Sequence, residues 1–569
     1  MPPAAVAPST LPEHAAPLTL RARCCCAVLA FLFAAAASAA DEHAASPTLR
    51  QLESAYADLN DAAGAVGLID SDPARYAAAG YRAKSRARWV QLYQSRRRQL
   101  LSGLKELQTS GLAASDRRAV VVMRDAVRES APTPESLAPV GRCADVQRRD
   151  LPLRAEQQAL YACFAELGNH LSFESSTLTR VDALGLLATL PEPERRKALF
   201  VAFEPLWHAL NGNDDPDSPY RRMIRQAATQ AHGKPSALEL AARSIGAAPG
   251  ELQRWLERIL DTWRQVSGDS AIEPWDYRFL AETPVRPLSE LIPVDGMQQL
   301  NQRYYLDLGL DLARRGVIYD LEPRAGKAPL AYTDFVVRGR RRAGLWQPTI
   351  VRVSANYTHG SLSALNELVH ENGHAAHMLA LRTRPAFMDL GDPVFYEAFA
   401  DVPSWSVYEP AWQHRYLGRS ASERDSLRAL YAGVMLDVAW ALFDIRMLRN
   451  PDTDPNQLWT DITQQYLHIS PHPEFSWWAV RVQLVDVPGY MVNYGLGCVI
   501  TADLRRRIAQ ELGPFETGEP RWFTWLGQHL LASGEEHSTA QLLREFLGRP
   551  VSPDALLGQL RRLTAATAY

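Results

Sequence analysis

Leu362–Leu381, LSALNELVHENGHAAHMLAL, decides how the rest of this 569-residue chain is read. Its residues are good helix formers, and Leu365, Leu368, Val369, Ala376 and Leu379 recur at helical spacing. Within it, His370-Glu371-Asn372-Gly373-His374 fits H-E-x-x-H. At about 100° per residue, His370 and His374 share one face a turn apart, where two imidazoles bind one Zn²⁺. Glu371 lies one step round the helix. It reaches a water on the metal without being a ligand, as a general base requires. Gly373 is the odd residue, because a helix-interior glycine costs about 1 kcal/mol against alanine. With no turn signal around it, close approach by another element is the expected reason.

The carboxylate comes next. Glu397-Ala-Phe-Ala-Asp401 begins 23 residues after His374, room for a loop and a return helix that Asp392-Pro393 would start. Glu397 and Asp401 are four apart and share a face. One ligates zinc while the other accepts the N–H of a zinc histidine and fixes its tautomer. Glu397 is read as the third ligand and Asp401 as the supporting carboxylate. Two His and one Glu leave a fourth position open, the mark of a catalytic site holding one Zn²⁺ per chain. His377 is read as a neighbour of the site or a surface histidine.

These residues carry a resemblance. His370–His374 followed by Asp392-Pro-Val-Phe-Tyr-Glu-Ala-Phe-Ala-Asp-Val-Pro-Ser-Trp-Ser-Val resembles the gluzincin metallopeptidases, most of all the angiotensin-converting enzyme and thimet oligopeptidase families. It covers about residues 348–408, with a weaker match at 484–500. It implies a mainly α, two-lobed helical body with zinc deep in a channel. Val353-Ser-Ala-Asn-Tyr357 resembles a substrate-lining strand, which makes Ala355 and Asn356 candidate substrate-binding residues. Val487-Pro-Gly-Tyr-Met-Val-Asn-Tyr-Gly resembles the tyrosine helix of both families. There Tyr494 fits the oxyanion donor and Tyr490 a substrate contact. One departure stands out. The converting-enzyme pattern holds the substrate's terminal carboxylate with a lysine shortly before the tyrosines, and no lysine follows Lys327 here. Arg481 is near in sequence but is not a simple stand-in, so internal cleavage of short peptides is as plausible as dipeptide release.

The remaining chain sets the context. Hydrophobic residues are 47% and charged residues 22%, an ordinary globular composition. A net charge of −3 gives no bulk electrostatic case for nucleic acid. Arg21 and Arg23, an apolar run over Cys24–Ala37 and Ala37-Ser38-Ala39 have the order of a secretory signal. The run is shorter than the roughly 20 residues of a membrane span. Residues 1–39 are therefore expected to be a signal peptide, with a periplasmic or secreted product and no stable membrane insertion after cleavage. Export would allow a Cys143–Cys163 disulfide and leave Cys498 odd and buried, but three reduced cysteines fit nearly as well. Residues 40–295 read as a helical N-terminal lobe and 296–569 as the catalytic lobe. Pro132 and Pro134 mark a loop near 131–142. A strand from Thr333, a turn at 340–344 and a strand over 348–357 form the one expected hairpin. Helices are expected over about 361–382, 394–409, 424–448, 488–511 and 538–547. His468 and His472 read as turn histidines.

The expected function is zinc-dependent hydrolysis of short peptides, as a peptidyl-dipeptidase or oligopeptidase. Glu371 would serve as base toward metal-bound water. Strand 348–357 would pair its backbone with the peptide. The alternatives are a catalytically inactive peptide-binding protein on the same fold, or a zinc hydrolase of non-peptide amides.

Overall fold

A computed structural model describes residues 46–71, 84–130, 143–147, 149–268, 270–324, 327, 330–342 and 344–565. The expected signal peptide and the loop at 131–142 lie outside the described residues. Residues 52–569 form one unit, and it contains the whole site.

The fold is mainly α, as expected, and four helices place the chemistry. α1 is Leu362–Ala380, α2 Pro393–Ser404, α3 Glu423–Arg449 and α4 Met491–Leu512. Ser361 starts α1, its hydroxyl accepting the Ala364 N–H at 3.0 Å, a cap worth about 1 kcal/mol. α2 opens with Pro393, whose missing N–H costs nothing in a first turn. Pro403 closes it and the chain tightens into a 3₁₀ turn over Trp405–Tyr408. α3 is apolar and long enough to cross a membrane by length and composition, yet 78% of that apolar window is buried inside the fold. It is the core helix on which Trp440 stacks against Trp459, ring centroids 5.4 Å apart.

The helices lie in the order α1, α2, α4, α3, and small residues allow the contacts. A Cβ on Gly373 would stand 2.7 Å from both Cα and O of Ala400, so α2 crosses α1 there. This is the close approach its helix-interior position implied. A Cβ on Gly495 would meet Ala441 Cβ at 2.4 Å, where α4 meets α3. Thr501 donates to Ala398 O at 2.9 Å and ties α4 to α2.

The sheet beside α1 is larger than the expected hairpin. β1 (Ile318–Asp320), β2 (Tyr332–Val337) and β3 (Ile350–Ser354) take the order β1-β3-β2. β2 runs antiparallel to β3, with Tyr332 opposite Ser354. β1 runs parallel on the other side, with Ile318 opposite Arg352. Arg340–Arg342 and Leu345–Gln347 make a separate two-stranded tip. A three-residue strand such as β1 is too short to show a period-2 pattern, which is why sequence periodicity misses it. Leu171–Phe173 and Ser176–Leu178 form another short hairpin inside a region read as helical. The outer edge of β2 is covered around Gly64, on the helix Pro47–Ser71, where a Cβ would come 2.6 Å from Val336 O and 2.7 Å from Phe335 O. Covering it removes an edge that other chains could pair with.

Cys143 and Cys163 are disulfide-bonded, and Cys498 is a buried free thiol.

Candidate metal centre and active site

α1 and α2 bring His370, His374 and Glu397 together, with one ligand atom of each within 4.8 Å of the others. Glu397 Oε2 lies 3.5 Å from His370 Nε2 and 3.7 Å from His374 Nε2. These separations are too long for good hydrogen bonds. Oε2 is buried and has no hydrogen-bond partner among the described residues, a costly arrangement for a carboxylate oxygen. Two imidazole nitrogens and one carboxylate oxygen converging on a common point suit a divalent cation of the zinc type, so the residues fit the metal the sequence implied.

Neighbours hold each ligand. Asp401 Oδ1 is 2.7 Å from His370 Nδ1, which leaves Nε2 to face Glu397. Ser404 Oγ, 3.1 Å away, steadies the same Asp401 oxygen. Burial opposes charge on His370, but the Asp401 and Glu397 carboxylates hold its pKa well above the ordinary value. Burial likewise opposes charge on Glu397, and the two histidines still pull its carboxyl below the usual range. Glu397 Oε1 accepts the Tyr490 hydroxyl at 2.9 Å. Tyr396 packs edge-on to His374, ring centroids 5.7 Å apart, with its hydroxyl 3.0 Å from that of Tyr490.

Glu371 stands on the same helix and is buried. Burial raises its pKa, and the neighbouring histidines work against that rise. The Thr333 hydroxyl on β2 lies 2.7 Å from Glu371 Oε2 and 2.8 Å from the Glu371 carbonyl. Only one carboxylate oxygen is engaged, and Oε1 makes no hydrogen bond among the described residues.

Residues 312–562 match the family model described as Peptidase family M3. This segment, somewhat under half of the chain, is similar to that family, and it contains His370, Glu371, His374 and Glu397. Solved structures agree at the level of fold. An M32 carboxypeptidase from Deinococcus radiodurans R1 matches with TM-score 0.56 at 15% identity, covering 91% of this chain and 100% of that one. The crystal structure of BsuCP matches with TM-score 0.56 at 15% identity, covering 91% and 99%. No curated protein matches the chain.

Two expectations about the peptidase change. β3 was to offer its backbone to a peptide, but it is the middle strand, paired on both sides. The Ala355 N–H goes to Asp320 O at 2.9 Å, and its carbonyl accepts from Lys327 Nζ. Ala355 is fully buried, and Asn356, also buried, directs its amide to Leu330 O at 3.4 Å. The sheet itself uses these groups. Tyr490, expected on substrate, spends its hydroxyl on Glu397.

Tyr494 sits one turn beyond Tyr490, ring centroids 5.8 Å apart, and its hydroxyl makes no hydrogen bond among the described residues. The Arg481 guanidinium lies over its ring at 5.2 Å and over Trp440 at 5.1 Å, and bonds Asp437. Burial, and after it the charge of Arg481, lowers the pKa of both Arg180 and Arg278, that of Arg180 to about 10. Arg180, from a distant part of the chain, also reaches this place, its Nη1 donating to the Val480 carbonyl next to Arg481 at 3.5 Å. His377 is not at the surface. It is 1% exposed between Phe395 and Phe399, and burial drives its pKa down to about 3. His468 Nε2 meets Arg264 O at 3.1 Å, and His472 lies between Glu273 and Glu474 at 2.8 and 2.7 Å.

Thr333 and Arg180 were invisible to spacing arguments, because each reaches its partner from a separate element. A threonine in the strand before the metal helix was the only available signal, and one β-branched residue in a strand is ordinary.

Proposed function

We propose that the chain is an exported zinc peptidase that cuts short peptides near their carboxyl end, in a channel of the helical body. The observation that carries this is the convergence of His370, His374 and Glu397 beside Glu371. Bound there, Zn²⁺ supplies a Lewis acid that polarises the scissile carbonyl and makes water more acidic. The chain's own residues do the rest. Glu371, with Oε2 steadied by Thr333, takes the proton of the attacking water on Oε1 and delivers it to the leaving amine nitrogen. Asp401 fixes the His370 tautomer and Tyr490 fixes the Glu397 carboxylate. Tyr494, its hydroxyl uncommitted, donates to the oxyanion.

The arginines favour cleavage measured from a free carboxyl end. A guanidinium fork matches a carboxylate with two parallel hydrogen bonds. Arg481 stands next to the oxyanion tyrosine with its Nε buried and unpartnered. The Deinococcus radiodurans neighbour is described as a carboxypeptidase, consistent with this reading. The Cys143–Cys163 disulfide suits an oxidising compartment, and so supports export.

The test is a pool of peptides in matched free-acid and C-terminally amidated forms, with products read by mass spectrometry. Cleavage should stop with chelator, return with zinc, and be slowed by amidation. Equal cleavage of both forms at internal bonds would replace the carboxyl-end reading with an oligopeptidase. An absence of chelator-sensitive cleavage would leave a peptide-binding protein.

A further inference from the structure

We propose that Asp444, on the core helix α3, is a positioning residue that sets Tyr490 against the metal carboxylate Glu397. This rests on the metallopeptidase reading above and adds to it a residue outside the ligand set. Asp444 is fully buried. Its Oδ2 accepts the N–H of Gly489 at 2.8 Å and of Met491 at 3.3 Å, the residues on either side of Tyr490. One carboxylate oxygen thus grips the backbone on both flanks of the tyrosine whose hydroxyl reaches Glu397 Oε1.

The local chain cannot do this for itself. α4 starts at Met491 with Tyr490 in the capping position and no side-chain cap of its own. Gly489 takes φ +91, and a Cβ there would approach Ala237 Cβ to 2.5 Å, so the turn is tight and closely packed. The first N–H groups of a helix need an acceptor, and a negative charge there is favoured by the helix dipole.

The cost is visible in the surroundings. Among the described residues no cation pairs with Asp444, and its Oδ1 has no partner. Tyr220, the titratable group that faces it, has an unpartnered buried hydroxyl. Burial pushes the carboxyl up to about 7 despite the two N–H bonds. An asparagine would accept the same bonds without that cost, so the effect of the charge can be isolated by substitution.

The experiment is a double-mutant cycle on the zinc dissociation constant, read by chelator competition in the full chain. Y490F should weaken zinc roughly 10–100-fold, the scale for a group that holds a ligand. D444N should weaken it about two- to fivefold, the scale for a charge at a helix start. The double variant should bind no more weakly than Y490F alone, because Asp444 acts through Tyr490. Additive losses, or no loss from D444N, overturn the proposal and make Asp444 a support of the fold only. If D444N fails to fold, D444S, which still accepts one of the two bonds, goes through the same cycle. A wild-type chain that binds no zinc overturns the functional reading, and this one with it. Zinc binding with an additive cycle overturns this inference alone.

Discussion

The two halves of the proposed active site are built by different means. On one side His370, Glu371 and His374 lie within five residues of a single helix, and Glu397 and Asp401 lie one turn apart on the next. On the other, Tyr494 is flanked by Arg481, while Arg180, which bonds the neighbouring Val480 carbonyl, comes from some 300 residues earlier. The first half is set by helix geometry, which fixes directions within a few residues. The second exists only once the chain has folded. The chemistry common to metallopeptidases sits in the first, and the choice of substrate is proposed to sit in the second. Substitutions should therefore separate into those that abolish turnover on every peptide and those that change which peptides are cut.

The strongest test of that division is Glu371→Gln. It keeps the size and the Thr333 contact but removes the base. Zinc content should stay at one per chain while kcat falls about 10³–10⁴-fold on free and amidated peptides alike, the upper range for a general base. Metal analysis alongside steady-state kinetics checks both halves of the statement. Substantial residual turnover would give the base role to another group.

Tyr494→Phe comes next. Its hydroxyl is uncommitted in the structure, so little stability should be lost. One oxyanion donor is worth roughly 10²–10³ in kcat. The loss should fall on kcat and be the same for both peptide forms. A negligible loss removes Tyr494 from the chemistry and joins it to the substrate-choosing half.

Arg481→Gln should show the opposite pattern. A hydrogen bond to a charged group contributes about 1.5–3 kcal/mol, so kcat/KM on free-acid peptides should fall about 10–100-fold. Amidated peptides should be nearly unaffected. An equal loss on both would mean that Arg481 supports Tyr494 through the ring contact rather than binding the carboxylate.

How much of this was legible in the sequence follows the same line. His370, His374 and Glu397 were placed by spacing, and the structure brings them to one point. The helix ends also agree closely: α1 was expected at about 361–382 and runs Leu362–Ala380. The sheet was half legible. Two strands showed β-rich runs, but β1 is three residues long and pairs parallel across a connection of 29 residues from Asp320 to Ile350. Missing it turned the central strand β3 into an edge, and assigned to substrate backbone groups of Ala355 that Asp320 and Lys327 already use. Thr333 and Asp444 were not legible at all, since nothing local marks a hydroxyl or a carboxylate for a partner tens of residues away.

Gly373→Ala is the smallest and sharpest probe, because it acts where the legible half depends on tertiary contact. By helix propensity the added methyl should stabilise by about 1 kcal/mol. In the fold that methyl would stand 2.7 Å from two backbone atoms of Ala400, Cα and O, and backbone cannot swing aside as a side-chain tip can. Overpacking of this kind costs about 1–3 kcal/mol, so the net change should be a loss of up to about 2 kcal/mol, read as a lower denaturation midpoint. The kinetic consequence follows from position. Ala400 lies between Glu397 and Asp401 on α2, so pushing α2 away from α1 moves the third ligand and the His370 partner together. Zinc affinity should fall along with stability, while the ratio of free-acid to amidated cleavage stays unchanged. A variant that gains stability and keeps its zinc affinity would show that propensity, not the helix crossing, decides this position, and that the two ligand-bearing helices are less tightly coupled than their contact distance implies.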